Sequence, residues 1–144
     1  MELQKFGISF AKFKFGEIMT KEKKILIAED ELATAETMRE YLALHGYDCD
    51  IVSEGNCVSS GITPDTVALI LDINLADGKT GLKFLPEIKK RHPNLKTLVI
   101  TGDRIPENRL KSLQLGADFF FSKPVDLNLL LAYLKKPLVG KEVA

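Results

Sequence analysis

The sequence is poor in cysteine, with only Cys49 and Cys57 among its 144 residues. They form no metal-like CxxC pair and no disulfide framework, so buried free thiols in a reducing compartment are expected. Net charge is missing as well. Lys and Arg number 20, as do Asp and Glu, which leaves no field to hold the chain on nucleic acid or an anionic membrane. No apolar run approaches the ~18 residues of a membrane span. The opening stretch MELQKFGISFAKFKFGEIMTKEKK contains apolar residues, but lysines and glycines interrupt them, so it lacks the core of a secretory signal. Low-complexity segments and internal repeats are absent too. Together these absences predict a cytosolic protein that binds neither nucleic acid nor membrane.

What is present is alternation. Apolar residues make up 45% of the chain and charged residues 28%, the profile of an ordinary globular protein of one domain. Ile25–Ala28 is a short apolar strand followed by Glu29, Asp30 and Glu31. Ala35, Met38, Leu42 and His45 recur at helical spacing, and Gly46 ends that helix. Tyr47–Ser53 is a second strand, 56–62 a weak short helix, and Val67–Leu71 a third strand apolar enough to be buried on both faces. The next helix turns Leu85 and Ile88 inward and begins close to Leu85, because Pro86 cannot sit deep inside it. Thr97–Thr101 is strand four. Leu110, Leu113 and Leu115 belong to a helix ended by Gly116, and Phe119–Phe121 is strand five. Leu127, Leu130, Leu131 and Leu134 line a last helix stopped by Pro137. Five strands alternating with five helices predict a doubly wound α/β fold with a parallel sheet and helices on both faces.

In such sheets the ligand site lies outside the carboxyl ends of the strands. The residues there are Glu29 and Asp30, Asp72, Thr101 and Gly102, and Ser122, Lys123 and Pro124. Two carboxylates ~4 Å apart repel by about 4 kcal/mol at an effective dielectric near 20, so three of them in one cleft call for a cation. Oxygen-only ligands favour a hard divalent ion such as Mg²⁺ or Mn²⁺. A carboxylate ringed by metal, ammonium and hydroxyl suits a tetrahedral anion, and carboxylates are known nucleophiles toward phosphoryl groups. Alone, Asp72 would be read as a turn carboxylate ending a strand. Joined by Glu29, Asp30, Thr101 and Lys123 it becomes a candidate nucleophile.

The segments ILIAEDE, HGYDCDIVSEG, LILDIN, LVITGD and GADFFFSKPVD, in that order, resemble the receiver domain of bacterial two-component response regulators over about residues 23–137. The resemblance implies a flavodoxin-like strand order 2-1-3-4-5. It implies Asp72 as phosphoacceptor, fed by a histidine kinase, a histidine phosphotransfer protein or a small phosphodonor. Asp30 and Asp72 would ligate Mg²⁺ directly with the backbone carbonyl of Asn74, and Glu29 would act mainly through water. Lys123 would pair with phosphoryl oxygens, Thr101 would move inward to bond them, and Phe120 matches the aromatic switch position. Asn74 and Asp103 match residues that position the hydrolytic water, which implies an acyl phosphate lasting seconds to minutes. The Lys123–Pro124 bond is expected to be cis.

Three departures from the common pattern stand out: Glu29-Asp30 replaces an Asp pair, the loop after Asp72 has no Leu-Pro and one extra residue before Gly81, and Phe120 replaces tyrosine.

Other features read more plainly. Lys89, Lys90 and Arg91 are the solvated end of a helix, and His45 and His92 sit near helix ends facing solvent. Residues 1–22 carry Leu3, Phe6, Phe10 and Phe13 at helical spacing. The expectation is a disordered extension, or translation from a start upstream of Met19, or an amphipathic element that covers an apolar surface or dimerises. Residues 138–144 form a tail too short for an effector. The expectation is a single-domain response regulator, not an enzyme in the ordinary sense, which signals through the face of its fourth helix, fifth strand and fifth helix. The alternatives are a receiver cut from a larger hybrid kinase or regulator, and a small Mg²⁺-dependent aspartyl-phosphate phosphatase. The latter normally carries a second acid two residues after its nucleophile, where this chain has Asn74.

Overall fold

Strand β1, Lys23–Ala28, sets the pattern of the interior. Side chains alternate along a strand. Ile25 and Ile27 therefore enter one apolar cluster while Leu26 and Ala28 enter another on the opposite face. Each of the larger three is at most 1% exposed, and burial of such a side chain contributes roughly 1.5–3 kcal/mol. The computed structural model describes residues 23–76, 78, 80–102 and 105–138. The expected extension at 1–22, most of the expected tail, and Asp103 lie outside the described residues.

β1 is followed by α1 (Leu32–Ala43), β2 (Tyr47–Val52), a 3₁₀ turn (Gly55–Cys57) leading into α2 (Val58–Gly61), and β3 (Thr66–Asp72). A second 3₁₀ turn (Gly81–Phe84) leads into α3 (Leu85–Arg91), then β4 (Lys96–Thr101), α4 (Pro106–Gln114), β5 (Phe119–Ser122) and α5 (Leu127–Lys135). The strands form one sheet in the order β2-β1-β3-β4-β5, every pair parallel. Strand order reverses at β1, so the crevice between the ends of β1 and β3 is the place where a ligand can enter.

One core layer joins the sheet to α1 and α5 through Ala35, Met38, Leu42, Leu130, Leu131 and Leu134. The other holds Val58, Leu82, Leu85 and Ile88 against the opposite face. Asp126 caps α5, its Oδ1 accepting from the amides of Asn128 (3.0 Å) and Leu129 (3.1 Å), a contribution of about 1 kcal/mol. Gly46 adopts φ 89° just past α1, where a left-handed residue closes the helix cheaply only if it lacks a Cβ.

The structure corrects several expectations. Helix α1 stops at Ala43, short of His45, which is exposed as expected, its ring tilted 46° against Tyr41 with centroids 4.8 Å apart. Val67 is 43% exposed because β3 begins at its solvated edge. Leu110 is 59% exposed, and the side chain that α4 buries is Ser112, whose hydroxyl donates to Asn108 O at 2.6 Å. Lys89 is not a solvated charge. Its Nζ donates to Leu95 O (2.6 Å) and Asp118 Oδ2 (3.0 Å), tying α3 to the base of β4 and β5. At the same end, Lys96 is 8% exposed and donates to the carbonyls of Tyr133 (3.1 Å), Leu134 (2.8 Å) and Lys136, closing the C-terminus of α5. Among the described residues, no helix is long and apolar enough to cross a membrane.

Candidate functional site

The carboxyl ends of four strands deliver four chemical groups to one edge of the sheet. Glu29 follows β1, is 1% exposed, and its amide is held by Val52 O at 2.9 Å. Its Oε2 accepts from the amide of Glu31 at 3.0 Å. Asp72 is the last residue of β3 and 2% exposed, and its Oδ1 accepts from the amide of Asn74 at 3.1 Å. Thr101 ends β4 fully buried, and its carbonyl accepts from the amide of Lys123 at 2.8 Å. Lys123 follows β5, and its peptide bond to Pro124 is cis.

The lysine bridges the two buried acids. Its Nζ lies 2.9 Å from Asp72 Oδ2, as a hydrogen bond, and 2.7 Å from Glu29 Oε1, as an ion pair. Glu29 Oε1 is otherwise a buried oxygen with no hydrogen-bond donor aligned on it. Asp30 is exposed beside them, and single carboxylate oxygens of Glu29, Asp30 and Asp72 lie within 4.8 Å of one another. At that separation each ionised pair costs about 3 kcal/mol at an effective dielectric near 20, and one ammonium cannot balance three carboxylates.

The protonation pattern follows. Burial, reinforced by the neighbouring Asp72, outweighs the pull of Lys123 and the Glu31 amide, and raises the Glu29 pKa to about 7. Burial works against the charge on Lys123, but hydrogen bonding to Asp72 and Glu29 prevails and holds its pKa above the usual lysine value. Cys49, far from this chemistry, is pushed up to about 12 by burial in the core.

The donor set fits a hard divalent cation. It is made of oxygen only, it carries excess negative charge, and its buried Glu29 Oε1 is met by the Lys123 ammonium alone, with no aligned hydrogen bond. Glu29, Asp30, Asp72, Lys123 and Thr101, singled out in the sequence, thus share one edge of the sheet. Asn74 is next to Asp72, but the contact seen is its amide on the carboxylate. Phe120 is half-buried against the second core layer and lines a cavity of about 430 Å³ with Ile105, Pro106 and Arg109 of the α4 end. In the sequence Gly81 marks only the end of the loop after Asp72, a turn signal; in the fold its backbone packs on that of Asp72.

The family model of the response regulator receiver domain matches residues 25–135. The chain belongs to the response regulator receiver family. It is similar to the transcriptional regulatory protein TctD of Salmonella typhimurium, with 32% identity over 113 residues, covering 78% of this chain and 50% of TctD. It is also similar to the aerobic respiration control protein ArcA of Escherichia coli, 33% identical over 101 residues, covering 69% of this chain and 42% of ArcA. The receiver chain therefore spans half the length, or less, of these curated relatives. Among solved structures, a CheY-like receiver domain protein from Methanospirillum hungatei matches with a TM-score of 0.73 and 31% identity, covering 78% of this chain and 90% of that one. The protein is accordingly a receiver domain of two-component signalling, with the receiver strand order and an acidic pocket of the kind in which receivers bind Mg²⁺. Receivers of this family interact with histidine kinases and effectors.

Proposed function

We propose that residues 23–137 act as a phosphorylation-driven switch in which Asp72 accepts a phosphoryl group from a histidine kinase, a histidine phosphotransfer protein or a small phosphodonor. The observation that carries this reading is the buried Asp72 carboxylate held between the Lys123 ammonium and two further acids. An Asp72 oxygen forms the bond to phosphorus as the donor's P–N or P–O bond breaks, and the imidazole or carboxylate departs with the electron pair. Asp30, Asp72 and the Asn74 carbonyl would hold Mg²⁺ or Mn²⁺, with Glu29 acting mainly through water. When bound, the cation offsets charge on the phosphoryl oxygens.

The chain's own residues do the rest. Lys123 exchanges its bond to Asp72 for one to a phosphoryl oxygen. The Thr101 hydroxyl turns toward the same group, and Phe120 fills the space this leaves beside β4. Asn74 and Asp103 place the water that later hydrolyses the acyl phosphate. The readout surface is the face of α4, β5 and α5. Its α4 is lightly anchored, with Ser112 as its buried side chain and Ile105 and Leu110 exposed by 50% and 59%. Such an element shifts at low cost. The partner is a protein rather than nucleic acid or membrane, and the setting is the cytoplasm. The receiver acts either as a stand-alone regulator or relay, or as one part of a larger regulator; the greater length of its relatives supports the second arrangement.

Acetyl phosphate with Mg²⁺ should label the protein once and decay over seconds to minutes, without turnover of a generic phosphate ester. Sustained turnover of such an ester would favour a phosphatase, and a label stable for many hours would contradict the hydrolytic role of Asn74 and Asp103.

A further inference from the structure

Gly81 stands where the chain returns to the phosphoacceptor. Its amide donates to Ile73 O at 2.6 Å, and the residue before it, Thr80, forms an antiparallel bridge with Asn74. The two limbs of the loop after Asp72 are thereby closed on each other. A Cβ added to Gly81 would lie 2.5 Å from the backbone oxygen of Asp72 and 3.1 Å from Cγ and Cδ1 of Leu71. Leu71 is fully buried and the oxygen belongs to a central strand, so neither neighbour can give way without moving Asp72 or the returning limb. At Gly46, Gly61, Gly78, Gly102 and Gly116 an added Cβ has no backbone atom nearest to it; at Gly116 it would press on the Lys89 side chain, at 2.7 Å. A Cβ at Gly78 meets nothing within 4 Å, and one at Gly61 meets side chains only, Leu26 at 3.0 Å and Val52 at 3.5 Å.

We propose that Gly81 is a positioning residue for phosphotransfer, and that its missing side chain is what lets the returning limb rest directly on the Asp72 backbone. This rests on Asp72 being the phosphoacceptor. The limb carries Asn74 into place through the Asn74–Thr80 bridge, and the Asn74 amide fixes Asp72 Oδ1 at 3.1 Å. A methyl group at position 81 forces the limb outward. It draws the amide from the carboxylate and the Asn74 carbonyl from the cation it would help hold, while removing no charge and no donor.

The test combines Mn²⁺ titration without phosphodonor, by calorimetry, with the rate of acetyl phosphate labelling per folded molecule. Gly81→Ala should weaken Mn²⁺ binding and slow labelling by about 10- to 100-fold, the loss expected from a misplacement near 1 Å. Gly61→Ala, which crowds Leu26 in the core, should lower stability while leaving both values at wild type. Thr80→Val supplies a milder lesion. Thr80 is exposed, and its Oγ1 accepts from the Leu82 amide at 3.3 Å to cap the turn that Gly81 begins. Its loss should move both values in the same direction by a smaller factor. A folded Gly81→Ala with wild-type metal affinity and labelling overturns the proposal. If Gly81→Ala does not fold, wild-type values in Thr80→Val overturn it. A wild-type chain that takes no label defeats the assignment of Asp72 instead, and the Mn²⁺ titrations then still decide whether Gly81 shapes the site.

Discussion

Asp72 and Lys123 are separated by 51 positions in the chain and by 2.9 Å in space. The ammonium also sits 2.7 Å from Glu29, so one lysine neutralises parts of two buried carboxylates delivered by two different strands. The parallel sheet produces this meeting, because it puts the carboxyl ends of β1, β3, β4 and β5 on one edge.

Lys123 and a divalent cation compete for the same oxygens. Lys123→Met should therefore bind Mn²⁺ more tightly, by roughly tenfold or about 1.4 kcal/mol, since the acids lose their internal counter-charge. The same variant should accept phosphate from acetyl phosphate more slowly, because charge on the transferring group loses its ammonium partner. Calorimetry and labelling kinetics on one preparation read both. Weaker metal binding in the variant would show that the lysine organises the acids rather than competing for them.

Glu29 should give the metal-free protein an unusual pH dependence. Folding raises its pKa to about 7 through burial, so the native chain binds this proton more tightly than the unfolded chain does. The stabilising contribution is complete below the unfolded value and is lost as pH rises through the folded one. Urea unfolding without metal should show Glu29 costing roughly 3 kcal/mol between about pH 5 and about pH 8. Glu29→Gln should flatten that slope. An unchanged slope in the variant would assign the effect to other groups.

Lys96 should matter to stability and not to chemistry. It occupies the opposite end of β4 from Thr101, and its ammonium satisfies three carbonyls at the end of α5. Burial lowers its pKa, against the opposing pull of the nearby Asp118 carboxylate. Lys96→Met leaves those carbonyls without their donor and should cost about 1–3 kcal/mol in chemical denaturation. Acetyl phosphate labelling per folded molecule should stay at wild type. A large loss of labelling would couple the base of α5 to the phosphoacceptor.

The elements most legible in the sequence were those whose burial pattern is simple. β1, β4 and α5 are apolar on the faces they bury, and their period gave them away to within a residue or two. The members of the acidic edge were legible because polar residues end apolar strands, at Glu29 and Asp72 above all. Tertiary pairing was not. Lys89 and Lys96 look like surface charges, and only the fold brings Asp118 to the first and the α5 carbonyls to the second. Leu110 looks like core, yet α4 lies so lightly on the sheet that the small Ser112 takes the inward position. Gly81 carried no chemical signal, since its significance is a distance to a backbone oxygen.

Every role proposed for this edge of the sheet depends on Asp72 as the phosphoacceptor. Intact-mass analysis after incubation with acetyl phosphate and Mg²⁺ measures this directly, with Asp72→Asn as the comparison. Wild type should gain the mass of one phosphoryl group, and the variant should gain none while remaining folded. A gain of the same size in Asp72→Asn, or none in folded wild type with Mg²⁺ present, would remove Asp72 from that role.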